Sequence, residues 1–409
     1  MNVIYHKRLT REVALHRFQV YCEEPMLFHC LHYCTAVHQD SISKTLAVTR
    51  TPEMLWHKVE CLRLLQEALT QIDDAKLEIV ICTVTYLVGF DLQEIASAHE
   101  LPFVPHPWIH PWGAGGPWIV NGQRLPTKPH VDALQALVKR KGGLNCLQYP
   151  GLGLSIARTD LVYASINLEK PRHPCVWIPD DETARACRNM RFRSAQAAGQ
   201  GFASIAGSLP PELLDAVLNA AATDLILSRY EYEPLLDPAR IEILRCATQY
   251  RLLALPKWTQ LQSQDNLRFD EKVYESCRLT AILYSNAVVL ALPPHTGWHL
   301  RLCVQIRQLL RDCDMTELSR KAPGLLIWTL FIAALAAHKT PDHGHFVSLL
   351  RPALVRESLW TRSATEQVLE QFLWARKACG HAVEDLWAAV GMGGQRREDM
   401  RETGHDETF

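Results

Sequence analysis

The chain is predicted to be all-α, a large array of packed helices. Three observations predict this. Apolar residues recur at i, i+3, i+4 and i+7 in segment after segment from Leu55 to Val390. Asp and Pro stand where these segments begin, and Gly or Pro where they end. Alternating runs of strand length between hairpin turns are nearly absent; "CVWIPD", Cys175 to Asp180, is the best short candidate.

The first well-marked element is Leu77 to Phe90, with apolar residues at Leu77, Val80, Ile81, Val84, Leu87 and Val88. Its β-branched residues would suit a strand, but its length and the preceding Asp73–Asp74, good capping residues, assign it to a helix buried almost all round. Next, Val131, Leu134, Leu137 and Val138 form one apolar face of a helix. Lys139, Arg140 and Lys141 fall in its last turn, where cations meet the negative end of the macrodipole. Gly142 then fits the left-handed residue that closes a helix, and Leu144 can fold back over the last turn. A further helix starts around Ser155 and ends near Leu168.

Downstream, "PPELLDAVLNAAATDLILSRY" places Pro211 at a first helical position, and "DPARIEILRCATQYRLLAL" opens on Asp237 as cap with Pro238 behind it. "DEKVYESCRLTAILYSNAVVLAL" reads as one helix stopped by Pro293–Pro294. "GLLIWTLFIAALAA", Gly324 to Ala337, is the longest apolar run at 14 residues. A bilayer span needs about 20, so the run predicts a buried helix rather than a membrane segment. "EQVLEQFLWARKACG" reads as one helix ending on Gly380 with cations in its last turn.

Three stretches read as irregular: the Pro/Gly/Trp-rich Pro102–Pro129; the Ser/Ala/Gly-rich Arg191–Pro210; and the tail 391–409, which has no apolar face and is expected to be disordered. Arg191–Pro210 suits a linker between two helical halves, 1–190 and 211–390, of a domain spanning 1–390. No short internal repeat of solenoid period is present.

Charge excludes one class of function. Formal net charge is −1, from 43 Lys and Arg against 44 Asp and Glu, so no global field draws the chain to nucleic acid or an anionic membrane. The first residues, "MNVIYHKRLTREVALHRF", lack the apolar core of a secretory signal. The 13 scattered cysteines are expected to be free thiols in a reducing interior.

"GLGLS" precedes a helix, as a phosphate loop must, but matches neither glycine pattern of such loops. Ser155, in "GLSIA", sits one residue from a nucleophile elbow; that motif requires a buried strand before the serine, whereas the preceding "LNCLQYPG" is broken by polar residues and Pro150. "HCLHYCTAVH" puts Cys30, Cys34 and His38 on one helical face beside His29 and His32, but a ligand at i+8 lies two turns from the first, too far for one ion. Asp342 to His345, and His106 with His110, lack a third ligand at a suitable spacing. The tryptophans of Pro105–Trp118 are expected to pin that loop onto its own domain. Lys139–Lys141 is shorter than the roughly 5–8 residues of a basic import or nucleic-acid patch. No catalytic, DNA-binding, cofactor or metal role is therefore assigned to any residue, and no cofactor is expected.

Taken in order, the segments resemble a known family. "WHKVECLRLLQEALT", a buried helix, "PHVDALQALVKRKGGLNCL" and "ARTDLVYASINLEKPRHP" resemble the regulatory domain of fungal-specific transcription factors. His130, Gly142, Gly143, Leu144, Asp160, Ala164 and Pro171 stand where that family's pattern puts them. The downstream order "CRLTAILYSNAVVLALPP", "GLLIWTLFIAALAA", "HFVSLLRPALVRESLW" and "VLEQFLWARKACGHAVEDLW" is also similar, so the resemblance runs from Leu27 to Trp387. Lys141 stands where arginine is usual before the glycines. Members carry an N-terminal binuclear zinc cluster opening C-x2-C, and no cysteine pair here has that spacing.

The resemblance implies a non-catalytic nuclear protein without its own zinc cluster, which does not bind DNA sequence-specifically. It is expected to act through contacts with other transcription regulators, as a homo- or heterodimer, or with a metabolite held among its helices. An upstream exon encoding six clustered cysteines would make it a DNA-binding activator. The alternative reading is a serine hydrolase-like enzyme with Ser155 as nucleophile and His295 or His343 as base, which requires a sheet beneath Ser155.

Overall fold

The computed structural model describes residues 11–42, 51–71, 73–74, 76–90, 108, 126, 128–195, 198–230, 232, 235–261, 270–311 and 315–391. Every regular element among them is helical, as the periodicity predicts, and no strand occurs. "CVWIPD" forms no strand; within it the Ile178 N–H turns back to Val176 O at 3.2 Å. No single described helix is long and apolar enough to cross a membrane. The chain divides into two units, the first drawn from Met1–Pro102 and Gly116–Ile178, the second from Phe103–Gly115 and Pro179–Phe409.

The first unit contains α1 (Arg11–Glu23), α2 (Pro25–Ile42), α3 (Pro52–Thr70), α4 (Leu77–Phe90), α5 (Lys128–Arg140) and α6 (Leu152–Asn167). Helix α2 is its hub, packing against α1, α3 and α4, while α4 also meets α5 and α6. Cys30, Tyr33, Cys34 and Val37 of α2 form the core with Met54, Cys61 and Leu65 of α3 and Val80 and Leu87 of α4. Helix α3 starts firmly: the Thr51 hydroxyl accepts the Met54 N–H at 3.1 Å, and Pro52 takes the first turn, where its missing N–H costs nothing. Before α4, Asp73 accepts the Lys76 N–H at 2.7 Å.

The corner after α5 follows the sequence reading. Gly142 (φ +98°) donates to the Lys139 carbonyl at 3.0 Å, and Gly143 (φ +100°) reaches back to Val138 at 2.9 Å. These two bonds form a Schellman closure, which satisfies carbonyls that the helix end leaves open. Leu144 is buried behind it.

The second unit contains α7 (Asp181–Ala195), α8 (Gln200–Ser204), α9 (Pro211–Arg229), α10 (Pro238–Ala254), α11 (Trp258–Leu261), α12 (Glu271–Tyr284), α13 (Trp298–Arg311), α14 (Met315–Lys321), α15 (Pro323–Ala336), α16 (Pro341–Arg356), α17 (Arg362–Glu370), α18 (Arg376–Cys379) and α19 (Val383–Val390). The apolar α15 lies at its centre, buried from Leu325 to Ala336, with α12, α13, α16, α17 and α19 around it. Asp237 caps α10 by accepting the Ala239 and Arg240 N–H groups, both at 3.0 Å. Gly391 ends α19 in the left-handed region; the tail beyond it lies outside the described residues.

Three expectations need correction. Arg191–Pro210 is not a linker between halves: it lies within the second unit, holds the end of α7 and all of α8, and buries Phe202 completely. The Glu271 segment does not run as one α-helix to Pro293. It is α-helical to Tyr284, then widens into a π-turn over Ser285–Val289, with Leu290 N–H on Ser285 O at 2.7 Å and Ala291 at φ +56°. The "EQVLEQFLWARKACG" segment also breaks, between Glu370 and Arg376. There Phe372 stacks on Trp328 (5.5 Å, 12°), Trp328 Nε1 donates to Leu373 O at 2.9 Å, and Gly201 N–H donates to Gln371 O at 2.8 Å. Tertiary partners thus satisfy the groups that helical bonds would have used. Gly380 has φ −64° and is not a left-handed stop.

Candidate functional site

The sequence candidates for chemistry are dispersed. Ser155 lies in the first turn of α6, where its hydroxyl donates to its own helix, at Gly151 O, 3.1 Å away. This is ordinary back-bonding, and the strand that a nucleophile elbow needs does not precede it. His343 Nδ1 lies 3.0 Å from Ala334 O in the second unit. The side chain of His295 lies outside the described residues, as do His106, His110 and, apart from the buried Trp108, the Trp-rich loop. Cys30 and Cys34 are core residues, the Cys30 thiol donating to Thr83 O at 3.7 Å. Among the described residues no three His, Cys, Asp or Glu side chains gather to hold a metal.

The residues singled out by the family pattern act as scaffold. Asp160, buried on α6, accepts the N–H groups of Arg172 (2.7 Å) and His173 (2.9 Å) and so fixes the exit after α6. Burial pushes its carboxyl above the usual range, against the pull of those donors. Ala164 is buried, and its carbonyl accepts the Glu169 N–H at 3.0 Å as the helix ends. Of the cations after α5, Lys139 and Arg140 are exposed. Lys141 is half-buried, pairing with Glu78 at 3.2 Å. That carboxylate also accepts the Gln148 and Tyr149 N–H groups, so it binds the start of α4 to the corner.

What the structure adds lies on α3. One face of this helix, Met54, His57, Cys61 and Leu65, is buried on the unit's core. A second face is apolar too: Leu55, Val59, Leu62 and Leu69 are exposed, at 41–59% of their full area. At 100° per residue, positions 55, 59, 62, 66 and 69 fall in one strip about 80° wide. Gln66 is its only polar member. Charges flank the strip: Arg63 is held by Glu60 (2.9 Å) and Glu67 (2.6 Å), and Lys58 Nζ lies 5.5 Å above the Tyr33 ring.

An aromatic cluster lies at the N-terminal end of α3, where it meets α2. His57 stacks on His32 (4.7 Å, 11°), and its Nδ1 lies 2.9 Å from His29 Nδ1. Trp56, 55% exposed, meets His29 and His57 edge-on, and Phe28 lies 4.4 Å from His32. Burial, and then the neighbouring His32 and His29, lower the His57 pKa, so its ring is neutral at neutral pH. Nothing in the sequence spacing ties Trp56 and His57 to His29 and His32. Their place on α3 becomes legible only once α3 is known to lie against α2.

An exposed apolar strip with an aromatic end is suited to binding another protein, because covering it removes Leu, Val and Trp surface from water.

Residues 232–397 match a family described as fungal specific transcription factor domain. The match takes in the downstream segments of the sequence resemblance; α3 and the glycine corner lie outside it. No curated protein and no solved structure matches the chain.

Proposed function

We propose that this chain, whose residues 232–397 match the fungal specific transcription factor domain family, regulates transcription in the nucleus as a non-catalytic module, through protein contacts made by the outer face of α3. The observation that carries this reading is the strip Leu55, Val59, Leu62 and Leu69, left uncovered on a helix whose adjoining face is core. With Trp56 and Phe28 it exposes on the order of 500 Å² of apolar surface, more than scattered surface residues account for.

The partner is a second copy of the chain. Leu55 and Leu69 lie seven residues either side of Leu62, with Val59 and Gln66 between them. An antiparallel pair centred on Leu62 therefore sets Leu55 against Leu69 and Leu62 against itself, as a two-fold axis requires. A parallel pair with the same contacts would bring Lys58 against Arg63 of the second copy. Two copies together bury about the 1,000 Å² that a specific interface must clear.

The chain itself does not read DNA sequence in this proposal. Lys139 and Arg140 are the exposed remnant of its compact basic run, and Lys141 is engaged by Glu78. Two cations give few phosphate contacts and no groove-reading element. A selection from random duplexes at physiological salt is expected to enrich no motif.

The test is a reporter driven by the full chain tethered to an unrelated DNA-binding domain. The wild type is expected to change reporter output, and Val59→Glu/Leu62→Glu to return it to that of the tether alone at equal protein level. Wild-type output from the double variant would overturn the proposed role of α3.

A further inference from the structure

The break in the helix at Gln371–Ala375 opens a cavity of about 460 Å³ in the second unit. Its wall is formed by Asp224 and Ser228 from α9, Gln367 from α17, Trp374 from the break and Lys377 from α18. The volume is within the range of small-molecule sites. Neither α3 nor the interface proposed above has any part in it.

Asp224 is the unusual member. It is only 5% exposed and lines the cavity, yet the described residues supply its carboxyl with a single donor, the Tyr284 hydroxyl on Oδ1 at 2.9 Å. No Lys or Arg pairs with it, and its second oxygen has no protein donor. A buried carboxyl ordinarily has a cation or several N–H groups to offset desolvation, as Asp160 shows in this same chain. Around it, the Trp374 ring, Leu225 and Ala375 give an apolar wall, while Glu370, Arg376 and Lys377 line the same cavity. Arg376 is already engaged by Glu370 at 2.6 Å and Lys377 lies 4.4 Å over the Tyr232 ring. A cationic ligand in the cavity would supply the charge partner that the ionised form of Asp224 lacks among the described residues.

We propose that this cavity binds a small organic amine, its ammonium group donating to Asp224 and its apolar body lying against Trp374. The ammonium donates hydrogen bonds to the carboxylate and neutralises its charge inside the protein. Other titratable groups near the carboxyl are the Tyr284 phenol and the fully buried Cys379 thiol, both held neutral by burial, and the cavity-lining Glu370, Arg376 and Lys377. Burial holds Asp224 at about 7, so amine binding strengthens as pH rises through neutrality.

The test uses three probes of nearly one shape, phenethylamine, 2-phenylethanol and phenylacetate, each titrated at millimolar concentration into the full chain and followed by ligand-observed NMR. Phenethylamine is expected to bind more tightly than the alcohol, and phenylacetate not at all. Asp224→Asn keeps an acceptor for Tyr284 and should weaken the amine by about tenfold or more while leaving the alcohol unchanged. Tyr284→Phe, a second variant, frees Oδ1 and should leave amine binding in place. The proposal is overturned if no probe binds, if phenylacetate binds best, or if Asp224→Asn binds the amine as the wild type does.

Discussion

Arg245, buried on α10, donates through Nε to the carbonyl of Val289 at 2.6 Å, and through Nη2 to that of Leu290 at 2.8 Å. The residue is 44 positions from the carbonyl it serves. Those carbonyls end the π-turn after α12, where the chain turns to Ala291 in the left-handed region and no further helical N–H arrives. Gln249 Nε2, one turn further along α10, bonds Asn286 Oδ1 at 2.8 Å. One side of α10 is thus the polar complement of the widened turn.

Arg245→Leu should accordingly cost about 3 kcal/mol, because two buried carbonyls lose their donors. Arg245→Lys should recover part of that loss through a single remaining bond. Urea denaturation of the three proteins reads the order directly; a leucine variant within about 0.5 kcal/mol of wild type would contradict it.

At the corner after α5 the two glycines differ. A Cβ on Gly142 would meet Cys146 Sγ at 2.9 Å, whereas one on Gly143 would meet nothing within 4 Å. Both have positive φ. Gly143→Ala should therefore cost the backbone strain alone, about 1–3 kcal/mol, and Gly142→Val more than that, from strain and overpacking together. Equal thermal melts for the two variants would show that the contact with Cys146 is not felt.

Asp224 links stability to pH in a stated direction. Its carboxyl is raised from an ordinary 3.8 to about 7, chiefly by desolvation and against the Tyr284 hydrogen bond. The folded state then holds a proton that the unfolded chain has released, so this group's contribution is fully present below pH ~4 and lost as pH rises to about 7. Asp224→Asn removes that loss. The variant should gain stability relative to wild type between pH 4.5 and pH 8, by a few kcal/mol at most. The same stability difference at both pH values would mean that Asp224 is ionised throughout.

Overpacking should also appear where the helix after α17 breaks. A Cβ on Gly201 would lie 2.5 Å from the Phe372 ring, which is itself stacked on Trp328. Gly201→Ala should destabilise by about 1–3 kcal/mol, measured by urea denaturation, and a neutral result would show that the Phe372 ring can move aside.

These sites show where the sequence was legible. The caps at Asp237 and the corner at Gly142 are local: the residue that ends the element sits within a few positions of it. The breaks at Ser285–Val289 and Gln371–Ala375 are not, because their apolar periodicity continues into the break. The partners that stabilise the irregular backbone are Arg245, Trp328 and Gly201, far away in sequence. The outer face of α3 was hidden for a different reason. Both of its faces are apolar, and only the packing of α2 shows which one remains uncovered. The cavity at Asp224 depends on one of those unforeseen breaks, so no motif in the sequence marked it.

The most direct measurement of the central claim is sedimentation equilibrium of the purified full chain at micromolar concentration, beside Val59→Glu/Leu62→Glu. Both substituted positions are exposed, so the variant should fold and melt as the wild type does. A wild-type dimer and a monomeric variant are expected. A monomeric wild type, or a variant that dimerises equally well, would contradict it: in the first case α3 does not receive a second copy of the chain, and in the second the copies meet elsewhere.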